Sequence, residues 1–567
     1  MADQAQESLP ERPKEGVEGE KKGPSKSELK KMQKEKEKAE KAAKRAAEEA
    51  ERKKQEEAND TSKEDYGQLP LVRQSSGVKH EKLADLAEKY ETKLSADEKG
   101  LEVVFRATVE NARKQSAKLS FLVFSQQSNT IQAVVAESEK LSRQMVKFAG
   151  QIPTESEVVV HGVLNKPREP VQSTTIQNLE VHVTKIYVLC QAQSQLPLQV
   201  ADAEGRIPAE GEENAVREDG KPIVSLNTRL NNRTIDLKAN LNHAIFRIKA
   251  GVQKLFTEFL DQRDFIQINT PRLLGAPSEG GSSVFEVKYF DSKAYLAQSP
   301  QLYKQMMISS RYEKVMEIGP VFRAENSNTA RHLTEFTGLD FEMAFDEDYH
   351  EVVSLAEELM LYIFNGLRTR YKKETDHVRT VYQVEEFKLP EAGKVPRLHF
   401  SEGIKMLRDA GVEIDDFEDL STPQEKKLGA LVLEKYGTDF YVLDKYPLAI
   451  RPFYTMPSVE TQQKYDPANP NAGYSNSYDF FMRGQEIMSG AQRIHDATYL
   501  EKRMKEHVTP VDPKSDGLKD YVDCFRYGCP PHAGGGIGLE RIVMLWLGLP
   551  NVRLASLFPR DPGRLMP

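Results

Sequence analysis

Between about residues 101 and 188, apolar side chains recur at every second position in five short runs: VVFRATV, LSFLVF, TIQAVVA, EVVVHGVL and LEVHVTKIYV. That period turns one face of each run inward and predicts strands. SEKLSRQMVKF, between the third and fourth runs, has helical spacing instead. Five strands with a helix in that place predict an OB-type barrel, a fold that often takes unpaired nucleic acid. Further on, HAIFRIKAGVQKLFTEFLDQRDF sets Ile245, Ile248, Val252, Leu255 and Phe259 on one stripe and predicts a long helix. INTPRLL then reads as extended, broken at Pro271, and AYLAQS, KVMEIGPVFRAE, EFTGLDFEMAF and TDFYVLDKY read as strands. Hairpin-like connections with helices gathered in blocks predict an antiparallel sheet in an α+β domain. The mostly helical stretch from about 346 to 440 reads as an insertion in it.

The flanking segments lack such patterns. Residues 1–66 have almost no large apolar side chains and cannot build a core. Within them, 21–54 carries fourteen Lys/Arg against seven Glu, and Lys26, Lys30, Lys34, Lys38, Lys41 and Arg45 recur every three or four positions. In a helix they form one cationic stripe suited to a weak, sequence-independent hold on phosphates. A solvated tail without a partner has the same composition. The chain thus divides into a Lys-rich, partly helical or disordered extension (1–66), a barrel domain (67–190), a polar linker or hinge (191–240) and an α+β domain (241–567).

Composition narrows the classes. The net charge of −8 and a pI near 5.9 confine any nucleic-acid binding to local patches. The longest apolar run, IVMLWLGL, is too short to span a membrane, and the N-terminus has no apolar signal core. Cys190, Cys524 and Cys529 are too few and too irregularly spaced for a disulfide framework or a zinc site, and read as reduced thiols of a cytosolic protein.

Chemistry concentrates in two places. In GPVFRAENSNTARHLTEF a strand delivers Arg323 and Glu325 on one face, a polar loop follows, and Arg331, His332 and Glu335 return on the next strand. Guanidinium groups grip phosphate oxygens in a planar fork; the plainer alternative is a cross-strand ion pair. AGGGIGLERIVM is neither a P-loop nor a dinucleotide fingerprint, since Leu539 and Glu540 stand where those patterns need other residues. It reads as a strand entering a helix, with Leu539, Ile542, Val543 and Trp546 on an apolar stripe and Arg541 off it.

The hairpin resembles motif 2 of the class II aminoacyl-tRNA synthetases, GGGIGLER resembles motif 3, and FLDQRDFIQINTPRLLGAPSEGG resembles motif 1 with its proline at Pro271. With a barrel upstream, the arrangement is similar to the subgroup that handles aspartate, asparagine and lysine. The resemblance implies a class II antiparallel-sheet catalytic domain behind an OB-fold anticodon-binding domain. It also implies ATP-dependent activation of an amino acid and its transfer to tRNA. In QSPQLYKQ and SGAQRIHD, Lys304 and Arg493 stand where the family clasps an aspartate side chain, with Glu279, Gln301, Asp340 and Ser489 around the amino acid. Two cations closing on a carboxylate favour aspartate over asparagine, because the neutral isostere leaves them underpaired. The asparagine enzyme, or an inactive synthetase-like RNA-binding protein, is the alternative. For ATP the resemblance implies Arg323, Glu325, Arg331, His332, Leu333, Phe336, Glu486, Gly536, Gly538 and Arg541, with Mg²⁺ on Asp479 and Glu486. Arg323, Arg541, Lys304 and Arg493 would carry the chemistry. Phe121, Gln132 and Glu180 would read the anticodon, although Phe121 by residue type alone suits a core. Lys26, Lys30, Lys31 and Lys34 fall in SKSELKKMQK, like a tRNA-binding extension. Pro271 would lie at a homodimer interface. The run SVETQQKYDPANPNAGY is longer than the resemblance leads one to expect.

Overall fold

In the computed structural model the five alternating runs close into a barrel. The structure describes residues 60–90, 100–209, 211–212, 215–217, 220–277 and 284–567, with residues 38, 41, 44, 51 and 58 individually. The chain separates into two units, Met1–Gln195 and Leu196–Pro567. The first unit holds β1 (Tyr66–Gln68), β2 (Leu101–Lys114), β3 (Leu119–Gln126), β4 (Asn129–Ala136), β5 (Glu157–Asn165) and β6 (Ile176–Cys190). β2 pairs with β3 and β5, β4 with β3 and β6, and the β5–β6 pair closes the ring. Alternate residues such as Phe105, Phe124, Ile131 and Val160 fill it. The expected helix forms at Arg143–Ala149, capped by the Ser142 hydroxyl, and buries Met145, Val146 and Ala149.

The expected end of the extension at residue 66 needs correcting. Ser62 is fully buried, its Oγ donates to Lys140 O at 2.8 Å, and β1 runs parallel to β6. Residues 60–68 therefore belong to the barrel. Their short, half-polar sequence carries no alternation for a hydrophobic pattern to register. The basic stripe lies almost wholly outside the described residues, Lys26, Lys30, Lys31 and Lys34 included.

In the second unit the main sheet contains β7 (Ile266–Gln267), β11 (Lys314–Phe322), β12 (Glu335–Ala344), β13 (Arg397–His399), β14 (Phe440–Asp444), β15 (Ser477–Met482), β16 (Gln485–Gln492) and β17 (His532–Gly538). Their spatial order is β13-β14-β15-β16-β17-β12-β11-β7, antiparallel except for the outermost pair at each edge. β8 (Leu273–Leu274), β9 (Glu286–Tyr289) and β10 (Ser292–Leu296) form a separate small sheet. The helix Asn240–Asp261 buries Ile245, Ile248, Val252, Leu255 and Phe259, as its periodicity predicts. His350–Arg370 packs beside it in the same core, and β13 and β14 widen the sheet, so much of 346–440 is built into the fold.

Register sets up the site. Across the sheet centre, Leu339, Ile537, Met488 and Phe480 form one row, buried in the helix-backed core. One residue along, Asp340, Gly536, Ser489 and Asp479 form the next row, which points to the opposite face. The strand period thus separates a packing face from a polar one.

Candidate active site

The polar face lines a cavity of about 370 Å³. One wall is the β11–β12 hairpin, whose strands are in register up to Phe322 opposite Glu335. Contrary to the expectation from sequence, Arg323, Glu325, Arg331 and His332 come not from the strands but, with Leu333, from the connection, because the ladder ends at Phe322 and Glu335; β12 adds Phe336 and Asp340. Gln301, Glu486, Ser489, Arg493, Gly536, Gly538 and Arg541 line it as well. Residues spread over 240 positions of sequence therefore meet in one space.

At one end, Lys304 projects from the helix Gln301–Ser309 and is 1% exposed. Its Nζ lies 3.0 Å from Asp340 Oδ1 and 3.4 Å from Glu342 Oε2, and donates to the carbonyls of Phe341 and Gly535. Arg493 donates from Nε to Glu342 Oε1 (2.9 Å) and from Nη2 to Glu342 Oε2 (3.3 Å) and Gly534 O (3.0 Å). Glu342 is thus clasped between the two cations. Burial pushes its pKa up, but Arg493 and Lys304 outweigh that and hold it below the ordinary carboxylate value. Two cations and two carboxylates form a balanced buried network, strongly coupled because so little water screens it. Lys304 and Glu342 sit behind the cavity wall, while Arg493, Asp340 and Gln301 reach it.

At the other end the cations are held more loosely. Arg323 is exposed, and its guanidinium lies 5.6 Å from the Phe336 ring centre. Arg331 Nη1 pairs with Glu425 Oε2 at 3.0 Å, and burial raises Glu425 to about 6 despite that arginine. Arg541 Nη1 donates to Glu486 O at 2.8 Å, with Glu486 Oε1 at 3.9 Å. Burial, and then Arg331, hold His332 below the ordinary imidazole value, favouring the neutral ring; its Nδ1 lies 2.6 Å from Thr329 Oγ1. Arg451 Nη2 binds Asp479 Oδ2 at 2.7 Å and Nη1 binds Ser489 Oγ at 3.0 Å. Burial lifts Asp479 to about 6, and its Oδ1 is buried without a hydrogen bond among the described residues.

Other expected site residues lie elsewhere. Glu279 falls outside the described residues. Pro271 is exposed, in a segment fastened to β11 by Glu317, which accepts from Thr270 N and Oγ1 (both 2.8 Å) and Arg272 Nη2 (2.6 Å). On the barrel, Phe121 is half-buried on the outer face of β3, outside the core, and Gln132 Nε2 donates to Glu180 Oε2 at 3.3 Å.

Sequence reasoning missed Glu342, Glu425 and Arg451. The Asp340–Glu342 spacing in LDFEM did offer a signal, since two acids on one face of a buried strand need cations. Glu425 comes from the helix Thr422–Tyr436 and Arg451 from an irregular segment, where no local pattern points to the cavity.

Comparison with known proteins agrees with this geometry. The family model described as tRNA synthetases class II (D, K and N) matches residues 225–562, and the OB-fold nucleic acid binding domain matches 103–189. The cytoplasmic aspartate--tRNA ligase of Caenorhabditis elegans is 48% identical over 511 residues, covering 90% of this chain and 92% of the relative. The human cytoplasmic enzyme is 53% identical over 471 residues, 83% of this chain and 89% of its own. The solved aspartyl-tRNA synthetase of Entamoeba histolytica superposes with a TM-score of 0.76 at 42% identity, covering 89% of this chain and 96% of that one. A central antiparallel sheet, an arginine-lined cavity and these matches lead to one result: the chain belongs to the class II tRNA synthetases of the aspartate, lysine and asparagine group.

Proposed function

We propose that the protein is an aspartate--tRNA ligase that forms aspartyl-adenylate from aspartate and ATP and then aspartylates the 3′ end of its tRNA. Like the relatives above, it is a cytoplasmic enzyme. The observation that carries the choice of amino acid is the pair Lys304 and Arg493, buried side by side at one end of the cavity and bridged by Glu342. An entering aspartate side chain meets Arg493, already desolvated and oriented, with the Lys304 charge just behind the wall. Asparagine offers them no charge. Gln301, Ser489 and Asp340 are assigned to the same substrate, with Glu279 on its ammonium group.

The aspartate α-carboxylate attacks the α-phosphorus of ATP, and pyrophosphate leaves. The tRNA terminal hydroxyl then takes the aspartyl group and releases AMP. No side chain need act as nucleophile; the site aligns reactants and neutralises developing charge. Arg323 is assigned to the α-phosphate, Phe336 to the adenine face, Gly536 and Gly538 to the space beside base and ribose, and Arg331, His332 and Arg541 to the outer phosphates. The donor set suits Mg²⁺: Asp479 and Glu486 offer hard oxygen ligands on paired strands, and the ion would neutralise phosphate charge there. Phe121, Gln132 and Glu180 are assigned to unpaired anticodon bases, by stacking and edge contacts. A homodimer through the Pro271 segment is supported by exposed Ile266 and Leu273 on either side of that proline.

ATP–pyrophosphate exchange against a panel of amino acids tests the reading. Exchange dependent on aspartate alone is expected. Equal exchange with asparagine overturns the specificity, and none with any amino acid makes the chain an inactive relative.

A further inference from the structure

The loop bearing Arg331 and His332 runs from 323 to 334 without regular structure, yet these two side chains must keep a fixed distance from Arg541 to share one triphosphate. The feature that fixes the loop comes from 225 residues further along the chain. Arg553 is 5% exposed and lies in the short turn Val552–Ala555, just beyond the helix that carries Arg541. Its Nη2 donates to Asn328 Oδ1 at 2.7 Å and its Nη1 to Thr329 O at 3.0 Å. Nε is anchored on Asp561 Oδ2 at 2.6 Å, and Nη1 also reaches Asn551 Oδ1 at 3.3 Å. Beside it, Val552 N donates to Ala330 O at 2.8 Å, and further on Arg560 O accepts from Thr334 N at 2.9 Å. Three consecutive loop residues, 328 to 330, are therefore bound to 552–553. Thr329 passes the constraint on, since its hydroxyl meets His332 Nδ1.

We propose that Arg553 is a positioning residue for the nucleotide: it fastens the loop to the C-terminal block, so that Arg331 and His332 keep their distance from Arg541. This rests on the assignment of those three side chains to the outer phosphates. A planar guanidinium with a carboxylate behind it and a loop amide and carbonyl in front is a rigid connector, which a lysine's single ammonium cannot replace. Its effect belongs to ATP and pyrophosphate, since neither Lys304 nor Arg493 touches the loop.

The decisive variants are on the loop side, because Asn328 is exposed and its loss does not threaten the fold. In aspartate-dependent pyrophosphate exchange, Asn328→Ala should raise KM for ATP about tenfold, the usual order for losing a hydrogen bond to a charged partner, with KM for aspartate unchanged. Asn328→Asp keeps an acceptor for Arg553 and should stay near wild type. Arg553→Met should raise KM for ATP at least as much, and the double variant should be no worse than Arg553→Met alone, because both remove one connection. An Asn328→Ala enzyme with ordinary KM for ATP, or fully additive effects in the double variant, overturns the proposal. Should Arg553→Met fail to fold, the Asn328 pair alone decides. Wild-type exchange comes first: if aspartate supports none, the functional reading fails, whatever Arg553 does.

Discussion

Arg493 and Lys304 are both buried cations facing Glu342, yet the two should fail differently when changed. Arg493 reaches the cavity, and its forked contact with Glu342 needs two nitrogens. Arg493→Lys keeps a positive charge opposite Glu342 but loses the fork, so KM for aspartate should rise about tenfold or more while the fold survives. Lys304 lies deeper, and Lys304→Met would take the ammonium from Asp340 and leave Glu342 with Arg493 alone. Breaking a buried pair in that way should lower stability by about 3–5 kcal/mol, besides abolishing activation. Exchange kinetics with denaturant unfolding of both variants checks the contrast; equal stability losses would mean that Lys304 is not the structural partner of those carboxylates. The same residues mark how far the sequence could be read. Lys304 and Arg493 are legible because each sits in a distinctive run of neighbours. Glu342 looked like one more polar position in a strand, because alternation reveals which face a residue takes but not what waits across the sheet.

At the scale of one strand, β17 answers what its glycines are for, and the answers differ along its length. A β-carbon at Gly534 would stand 2.2 Å from Phe341 O and 2.3 Å from Glu342 Oε2, so this glycine lets β12 and its carboxylate approach. At Gly538 the nearest atom is Arg541 Cβ at 3.7 Å, and the backbone, at φ −80°, suits any residue. Gly534→Ala should therefore cost about 3 kcal/mol and disturb the Glu342 network. Gly538→Ala should fold normally and raise only KM for ATP. Thermal unfolding and exchange kinetics separate the two, and a strongly destabilised Gly538→Ala protein would contradict this division. In the sequence this is a glycine-rich strand entering a helix, and the resemblance gives Gly536 and Gly538 to ATP. Gly536 and Gly538 line the cavity, whereas Gly534 serves a neighbouring strand that only the register reveals. The long barrel strands and the helix Asn240–Asp261 were legible because each repeats its period many times. β1, β7 and β13 have two or three residues, too few to show any period at all.

For the molecule as a whole, charge is unevenly placed: residues 21–54 carry a surplus of seven positive charges within a chain of net −8. Binding to tRNA by such a segment would be electrostatic, dependent on salt and indifferent to sequence, and so separable from aspartate recognition in the cavity. The structure also sets where to cut. Removing residues 1–66 would take away Ser62, which donates to Lys140 O, and Tyr66, whose ring centre lies 5.0 Å from that of Phe148. Any fall in tRNA affinity would then mix tail removal with damage to the barrel. A deletion ending at residue 59 leaves both in place. It should weaken tRNA binding and reduce the slope of log affinity against log salt by about 0.7–0.9 for each phosphate that the tail had neutralised. Aspartate-dependent pyrophosphate exchange, which needs no tRNA, should be unchanged. An unaltered salt slope would make the basic stripe a solvated extension. A fall in exchange would mean that the segment acts on the catalytic unit itself, a role that its charge pattern does not anticipate.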